Sequence, residues 1–420
     1  MKKFKVLVVP SDRTGVSYYR STTPHLVLEN NYPDEFHVDI DYEPNLNDDE
    51  WLKQYDIIHY HRTLCSYEQM PEMLERLKRL NIISIMDIDD YWAPGTHHPA
   101  YHIIKNNGLD VKIANNVKIS QYVTTTTNIF ADEISKMNKN VFVLPNAIDP
   151  TESQFIPKPE LSDKLRIGWL GGSSHLKDLE LLDGVVSRLK SDGLLDKVQF
   201  VLCGFDLRGT HTEIDPITKE QRTRPIQPKE SVWYLYEKIF TDNYNSVSPE
   251  YKDFLLKFEQ KEYPNVANEP YRRVWTKHIS SYATNYNLFD ISLAPLVENT
   301  FNKVKSQLKV IEAGFHKKAI IAQNFGPYKI DLKNTIMFGG GFDLTANSIL
   351  VDSNKNHKDW YGAIKKLITN PELVKTLQEN LHNTVKNTYS LDKVTEDRRN
   401  LYMTLIAKHK PELVVEKTLA

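Results

Sequence analysis

The stretch LRIGWLGGSSHLKDLELL, residues 165–182, decides the fold. It starts as a short apolar run, passes through two adjacent glycines, and continues with a helical pattern from about residue 175. The same alternation extends in both directions. Strands are predicted at 5–10, 55–61, 82–89, 122–127, 140–149, 198–204, 289–296 and 318–323. Helical patterns lie at 67–80, at 128–137 and over most of 360–409. This order predicts an α/β fold with wound parallel sheets.

One segment that lacks the alternation of strands and helices divides the chain. Residues 149–165, DPTESQFIPKPELSDKL, carry three prolines and no periodicity, which predicts an interdomain linker. The predicted domains are therefore residues 1–150 and residues 164–390, with a terminal segment over 391–420.

Residues 206–280 depart from the alternation and are predicted to form an insertion in the second domain. Residues 212–228 suggest a projecting hairpin, and residues 231–244 suggest an aromatic-rich helix. Two interpretations stay open: an elaborated edge with its own small core, or a lid or acceptor-recognition element.

Composition excludes some classes of protein. The 420 residues suffice for two domains, and 40% hydrophobic and 26% charged residues are ordinary for a globular protein. A net charge of −2 shows no broad basic footprint for nucleic acid. The two cysteines are far apart, no apolar stretch is long enough to span a membrane, and the N-terminal VLVV run is too short for a signal peptide. We expect a cytoplasmic protein in a reducing compartment.

The stretch FNKVKSQLKVIEAGFHKKAIIA, residues 301–322, places charged side chains ahead of an apolar run. On a continuous helix, Lys305, Lys309 and Glu312 would share one face. They could form a solvated Lys–Glu face or part of a binding site.

Three segments together resemble the GT-B nucleotide-sugar glycosyltransferases, especially the large retaining family four. They are VLPNAIDP (143–150), IGWLGGSSHLKDLELL (167–182) and residues 290–328. The resemblance covers most of the chain apart from residues 206–280. It implies two Rossmann-like domains facing a central cleft, the first on the acceptor side and the second binding the donor. It also implies that the amphipathic helix at 391–409 crosses back to the first domain.

The resemblance implies roles for the charged stretch. Glu312 would accept hydrogen bonds from the ribose hydroxyls of the nucleotide. Lys305 and Lys309 would face the diphosphate, where cations stabilise the leaving group, and Ser306 would lie with them at the donor. The family's first glutamate would fall at Val304, so that carboxylate is absent, and Glu298 is a possible substitute.

The glycine turn is the second implied donor element. Gly171 and Gly172 would allow close backbone approach to phosphate ahead of Ser173 and a helix, although such a turn can also be only a tight turn. The family usually has an arginine where this chain has Gly172, whereas Lys177 matches the family's lysine. His175 and Lys177 are expected to share the phosphate contacts.

Candidate acceptor-side residues lie in the first domain. Gly15, Tyr19 and Arg20 follow the first strand and would face the acceptor or the phosphate, unless this is only a surface loop opening a helix. His61, or its neighbour Arg62, ends the second predicted strand.

The stretch MDIDDYW, residues 86–92, contains a D-x-D pattern that could suggest a metal site. We prefer Asp89 and Asp90 as acceptor-side carboxylates or a helix N-cap. The nearby His97, His98 and His102 lack zinc-like spacing. No metal and no cofactor besides the donor substrate is expected.

The resemblance implies transfer of a sugar from a nucleoside-diphosphate sugar, such as a UDP- or GDP-sugar, to an acceptor hydroxyl with retention. The acceptor could be a glycan, a lipid-linked sugar, a protein or a modified base. Three alternatives stay open: a DNA-modifying glucosyltransferase, a nucleotide-sugar epimerase, and a non-catalytic nucleotide-binding protein.

Overall fold

The computed structural model describes residues 3–206, 208–215, 217–218, 220–242, 271–352, 354 and 356–413. The chain forms two compact units. The first combines the chain up to Glu152, the segment Glu298–Ile311 and the chain from Val385 onward. The second combines Ser153–Val297 with Glu312–Thr384.

The first unit contains a parallel sheet of six strands. They are β1 (Phe4–Val9), β2 (Phe36–Ile40), β3 (Ile57–His61), β4 (Ile83–Asp87), β5 (Tyr122–Thr125) and β6 (Val141–Val143), in the order β2-β1-β3-β4-β5-β6. Strands β3 and β4 are buried along their whole length, as expected for a parallel sheet covered on both faces. His61 pairs with Asp87, and Asp87 pairs with Thr124, so polar residues meet across three neighbouring strands.

Helices cover this sheet. They span Thr23–Asn31, Asp49–Leu52, Met70–Arg79, Tyr101–Asn106, Leu109–Ile119, Asn128–Ile134, Thr300–Lys303 and Leu391–His409, with short turns at Gly15–Ser17 and Tyr18–Thr22. Local capping fixes several starts: the Thr127 side chain accepts a hydrogen bond from the Phe130 amide, and Ser390 accepts one from Lys393.

The last helix packs within the first unit. Tyr402, Leu405 and Ile406 join the same apolar cluster as Phe4 and Phe36. The Arg399 guanidinium also donates to both carboxylate oxygens of Glu35 at 2.6 Å. The apolar stripe of this helix is thereby buried.

The second unit repeats the architecture. Its strands are β7 (Leu165–Leu170), β8 (Val198–Phe205), β9 (Thr210–Ile214), β10 (Gln221–Pro225), β11 (Tyr271–Trp275), β12 (Ile291–Ala294), β13 (Ala319–Gln323) and β14 (Ile349–Val351). The parallel sheet has the order β11-β8-β7-β12-β13-β14, and a separate antiparallel hairpin pairs β9 with β10. The helices are Leu176–Leu179, Val185–Ser191, Val232–Thr241, Lys358–Thr369 and Pro371–Val385. The helix Leu308–Phe315 precedes β13, and the boundary between the two units falls within it after Ile311.

The structure confirms the predicted α/β class with two Rossmann-like sheets. Three strands were not predicted: β2, β11 and β14. The sequences of β2 and β11 are interrupted by charged residues, and β14 has only three residues.

The predicted insertion is seen in part, since residues 243–270 lie outside the described residues. A hairpin does form. The aromatic residues Trp233, Tyr236 and Phe240 of the following helix belong to the main apolar cluster of the second unit and not to a separate small core.

The predicted common face for Lys305, Lys309 and Glu312 is also wrong. The helix begins at Leu308, and Lys305 lies in the connection after the helix Thr300–Lys303. Lys309 and Glu312 are three residues apart on one helix and so remain neighbours.

No helix in the described part of the chain is both long enough and apolar enough to cross a membrane.

Replacement of Gly168 in β7 by alanine should destabilise the fold. The new methyl carbon would lie 2.1 Å from the ring of buried Phe289, so the ring must shift, at a cost of about 1–3 kcal/mol. Urea unfolding measures this loss. The control is Gly362→Ala, in a helix where nothing lies within 4 Å of the added carbon, and it should leave stability unchanged or raise it. Equal stability of Gly168→Ala and the parent would contradict the packing argument.

Candidate functional site

The order of strands reverses at β7 in the second sheet. β7 lies between β8 and β12, and ligands of such sheets bind outside the carboxyl ends of the strands at this point. The glycine turn Gly171–Ser173 directly follows β7, and Glu312 lies in the connection between β12 and β13. Two elements predicted for the donor therefore follow the two strands on either side of the switch point.

The glycine turn depends on a second glycine at the end of β8. Gly204 has a φ of +91°, and a methyl group there would lie 2.5 Å from the carbonyl oxygen of Gly171. Only glycine allows the two strand ends to approach this closely.

Tyr236 braces the same turn from the helix Val232–Thr241. Its hydroxyl donates to the Gly172 carbonyl at 3.2 Å and accepts from the His175 amide at 2.9 Å. Its ring packs edge-on against Trp169 and Trp233. Burial raises the pKa of this hydroxyl, so it stays protonated and able to donate. The inserted helix thus fixes the shape of the turn.

His175 and Lys177 already have partners. The Nδ1 atom of His175 lies 2.8 Å from the Asp178 carboxylate, whose other oxygen accepts from the Val297 amide at 2.8 Å. Lys177 donates to Glu180 at 2.8 Å on the surface. His175 is therefore tied through Asp178 to the loop after β12.

A pocket of about 390 Å³ opens beside the glycine turn. Its lining residues come from the turn, from the ends of β8 and β11, and from the insertion: Gly171, Gly172, Ser173, Gly204, Asp206, Arg208, Ile226, Ser231, Val232, Trp233 and Thr276. The Arg208 guanidinium donates to the Asp206 carboxylate at 2.9 and 3.0 Å, so this wall is charge-neutral.

The sequence did not identify Asp206 or Arg208 as site residues, because they lie in the insertion, outside the three segments that resemble GT-B glycosyltransferases. The signal that could have found them is their position. They directly follow strand β8, at the same sheet edge as the glycine turn.

Glu312 is only 4% exposed. Its carboxylate accepts a hydrogen bond from the Tyr286 hydroxyl at 2.9 Å, and the Tyr286 ring stacks on His316 with centroids 5.1 Å apart. Burial, together with Lys318, lowers the pKa of His316 to about 3, so this ring is neutral at physiological pH. The glutamate is held in one orientation by an aromatic pair.

In the first unit, Arg20 is a buried structural cation with 1% exposure. It donates to the Asp87 carboxylate through Nε at 3.0 Å and Nη2 at 2.7 Å, and to Asn146 at 3.2 Å. The Asn146 amide donates in turn to Ser306 at 3.2 Å. The chain of contacts brings together Arg20 and Ser306, two predicted site residues.

His61, Arg62 and Asp89 form a second polar group at the ends of β3 and β4. The Asp89 carboxylate lies 2.9 Å from His61 Nε2 and 3.3 Å from Arg62 Nη2. Burial opposes ionisation of Asp89, but these partners hold its pKa below the usual value. Burial and the Asp89 charge raise the pKa of Asp90. Arg62 has a φ of +61°, a strained conformation of the kind that functional sites often hold.

The remaining predicted residues of the first unit lie as follows. Gly15 opens the short turn Gly15–Ser17, and Tyr19 is buried. Lys305 lies over the Phe301 ring at 5.2 Å, and Phe301 contacts His98. Val304, where the family has a carboxylate, is 2% exposed in the apolar core.

The histidines at positions 97, 98 and 102 do not build a metal site with Asp87 or Asp89. Among the described residues, no group of three or more His, Cys, Asp or Glu side chains could hold a metal ion.

Solved structures share this architecture. The Anabaena protein HepE, in complex with UDP and glucose, matches with a TM-score of 0.56 at 10% identity, over 96% of this chain and 100% of HepE. Sucrose-phosphate synthase from Thermosynechococcus elongatus matches with a TM-score of 0.60 at 13% identity, over 97% and 100%.

The chain has the GT-B fold. A UDP-forming trehalose-phosphate synthase from Burkholderia xenovorans is also similar to this GT-B chain. Its TM-score is 0.50 at 10% identity, over 85% of this chain and 76% of the synthase. No protein-family model and no curated protein sequence matches the chain.

The free energy of unfolding should decrease at acidic pH because of His316. In the unfolded chain this histidine titrates near the ordinary value of 6.5, whereas in the folded protein its pKa is about 3. Between these values the unfolded state binds a proton that the folded state excludes. The contribution of His316 is complete above pH 6.5 and is lost progressively toward pH 3, at about 1.4 kcal/mol per pH unit.

Urea unfolding at pH 7, 6 and 5 measures this slope. His316→Phe keeps a ring against Tyr286 and should flatten the slope by about one proton. The exposed His278→Phe is the control and should keep the parental slope. An unchanged slope in His316→Phe would rule out His316 as a source of the acid sensitivity.

Proposed function

We propose that this protein is a glycosyltransferase that moves a sugar from a nucleoside-diphosphate sugar to an acceptor hydroxyl. The observation that carries the proposal is the pairing of a braced glycine turn after β7 with a buried, oriented glutamate in the connection after β12. The GT-B fold and the UDP and UDP-glucose complexes of HepE favour a UDP-sugar as the donor.

The glycine turn would hold the donor phosphates. Gly172 and Ser173 line the pocket, and backbone amides at such a turn can donate to phosphate oxygens without a side chain in the way. Because Tyr236 braces the Gly172 carbonyl and the His175 amide, the turn would need little rearrangement on binding.

Glu312 would bind the ribose. A carboxylate can accept from two adjacent hydroxyls, and the hydrogen bond from Tyr286 sets its orientation beforehand. Lys309 lies three residues earlier on the same helix and would supply positive charge to the diphosphate as it leaves. Lys305 and Ser306 are proposed to assist there.

The transfer would proceed with retention. The bond from the anomeric carbon to the diphosphate breaks while the bond to the acceptor oxygen forms on the same face. The acceptor proton passes to an oxygen of the leaving diphosphate. Val304 is buried in the core, so no carboxylate is supplied from that position. The acceptor is proposed to be a glycan, a lipid-linked sugar, a protein or a modified base. The activity assay has to test each of these classes.

Glu312→Gln should weaken UDP binding by about 1.5–3 kcal/mol, because the charged acceptor of the ribose hydroxyls is lost. Isothermal titration calorimetry with UDP measures the difference. Glu379→Gln is the matched control, since that glutamate is exposed and pairs only with Lys317 at 3.3 Å among the contacts described. If Glu312→Gln binds UDP as tightly as the parent protein does, the ribose assignment is wrong. If the parent protein binds no nucleoside diphosphate, the proposed function is wrong.

Lys309→Ala should lower kcat by about tenfold or more with a smaller change in KM, because leaving-group charge is greatest in the transition state. UDP release from UDP-sugars in the presence of acceptor mixtures gives both constants, and NMR of the product gives the anomeric configuration. The exposed Lys303→Ala is the control. An unchanged kcat in Lys309→Ala would remove this lysine from the mechanism, and an inverted product would overturn retention.

A further inference from the structure

Phe301 is an aromatic residue of the first unit that lies outside the apolar core. It is half-buried and is absent from the apolar clusters on the two faces of the first sheet. The centre of its ring lies 5.1 Å from the centre of the His98 ring and 5.2 Å from the Lys305 ammonium. The ring therefore has polar neighbours and keeps part of its apolar surface accessible.

Asp90 is a half-buried carboxylate without a direct partner. Its side chain forms no hydrogen bond or ion pair with any of the described residues, although the neighbouring Asp89 contacts both His61 and Arg62. Burial raises the pKa of Asp90, because water is removed and no hydrogen-bond donor replaces it. Such a carboxylate is stabilised by a ligand that brings a donor.

Asp90 and Lys305 lie on chain segments that pack together. Ile88 and Tyr91 on the first segment belong to the same apolar cluster as Val304 on the second. Burial raises the pKa of Asp90, and the Lys305 charge opposes this rise, so the two charges lie within electrostatic reach of each other. They nevertheless form no ion pair, which leaves a gap that polar groups of a ligand can bridge.

We propose that Asp90, Lys305 and Phe301 form a subsite for a neutral sugar ring. One hydroxyl of the sugar donates to the carboxylate, and the ammonium donates to the oxygen of another hydroxyl, so that one ring bridges the two charges. The apolar C–H face of the sugar packs on the accessible part of the Phe301 ring. An anionic ligand such as phosphate is disfavoured here, because Asp89 and Asp90 repel it.

The inference rests on the proposed function and deepens it by naming residues that hold a sugar. The ring has two sources, the transferred sugar of the donor and a sugar of a glycan acceptor, and both present the same hydroxyls and C–H faces. If the sugar comes from the donor, Lys305 contacts both the sugar and the diphosphate, in keeping with the role proposed for it above.

Two binding measurements on the full chain test the subsite. Saturation-transfer NMR without nucleotide uses the methyl glycosides of glucose, galactose, mannose and N-acetylglucosamine as probes of an acceptor sugar. Calorimetry with UDP, UDP-glucose, UDP-galactose and UDP-N-acetylglucosamine probes the donor sugar. Asp90→Asn removes the charge and Phe301→Leu removes the ring, each with little change of volume.

We expect each variant to bind at least one of these sugar ligands at least fivefold more weakly than the parent protein, with unchanged affinity for UDP. A loss confined to UDP-sugars identifies the donor sugar, and a loss with methyl glycosides identifies an acceptor sugar. The controls Asp34→Asn and Phe338→Leu alter an exposed carboxylate and an exposed ring elsewhere and should bind every ligand as the parent protein does.

The subsite is wrong if both variants bind every sugar ligand as the parent protein does, or if they weaken UDP itself as much as the UDP-sugars. It is also wrong if the parent protein binds none of the methyl glycosides and none of the UDP-sugars. Parental UDP binding together with unaffected sugar binding in the variants overturns the subsite alone. Loss of methyl glycoside binding in the variants of a parent protein that binds no nucleoside diphosphate supports the subsite and overturns the proposed function.

Discussion

The second unit depends on the close backbone approach of Gly204 to the carbonyl of Gly171. A methyl group at Gly204 would meet that oxygen at 2.5 Å, so the ends of β7 and β8 can converge only without it. The convergence sets the glycine turn, which Tyr236 then braces from the inserted helix. The insertion is thus part of the site's construction, and its residues Asp206 and Arg208 line the adjoining pocket.

In the first unit, buried polar contacts hold the corresponding side chains in place. Arg20 and Asp87 form an ion pair with almost no exposure, and loss of one partner of such a pair costs about 3–5 kcal/mol. The same guanidinium reaches Asn146, which donates to Ser306 in the segment Glu298–Ile311. All three guanidinium nitrogens of Arg20 thus donate within the first unit, and the role expected for it at the phosphate or acceptor stays a prediction.

The carboxylate of Glu312 shows how packing orients a buried polar group. Tyr286 donates to it, and the neutral ring of His316 stacks beneath Tyr286. A charged histidine there would be poorly solvated, which is why burial lowers its pKa to about 3. The orientation of Glu312 and the acid sensitivity predicted for His316 therefore both involve this buried aromatic pair.

The sequence by itself determined the α/β class, the hairpin and the glycine turn, because apolar period and glycine placement are local properties. It did not determine β2, β11 or β14, whose pairing comes from their neighbours in the sheet. It also placed Lys305 on one helical face with Lys309 and Glu312, although that helix begins only at Leu308, and it could not tell that Arg20 and Val304 are buried. Only the tertiary structure decided which candidate side chains meet, because burial and ion pairing join residues as distant as Arg20, Asp87 and Asn146, and no local pattern encodes such contacts.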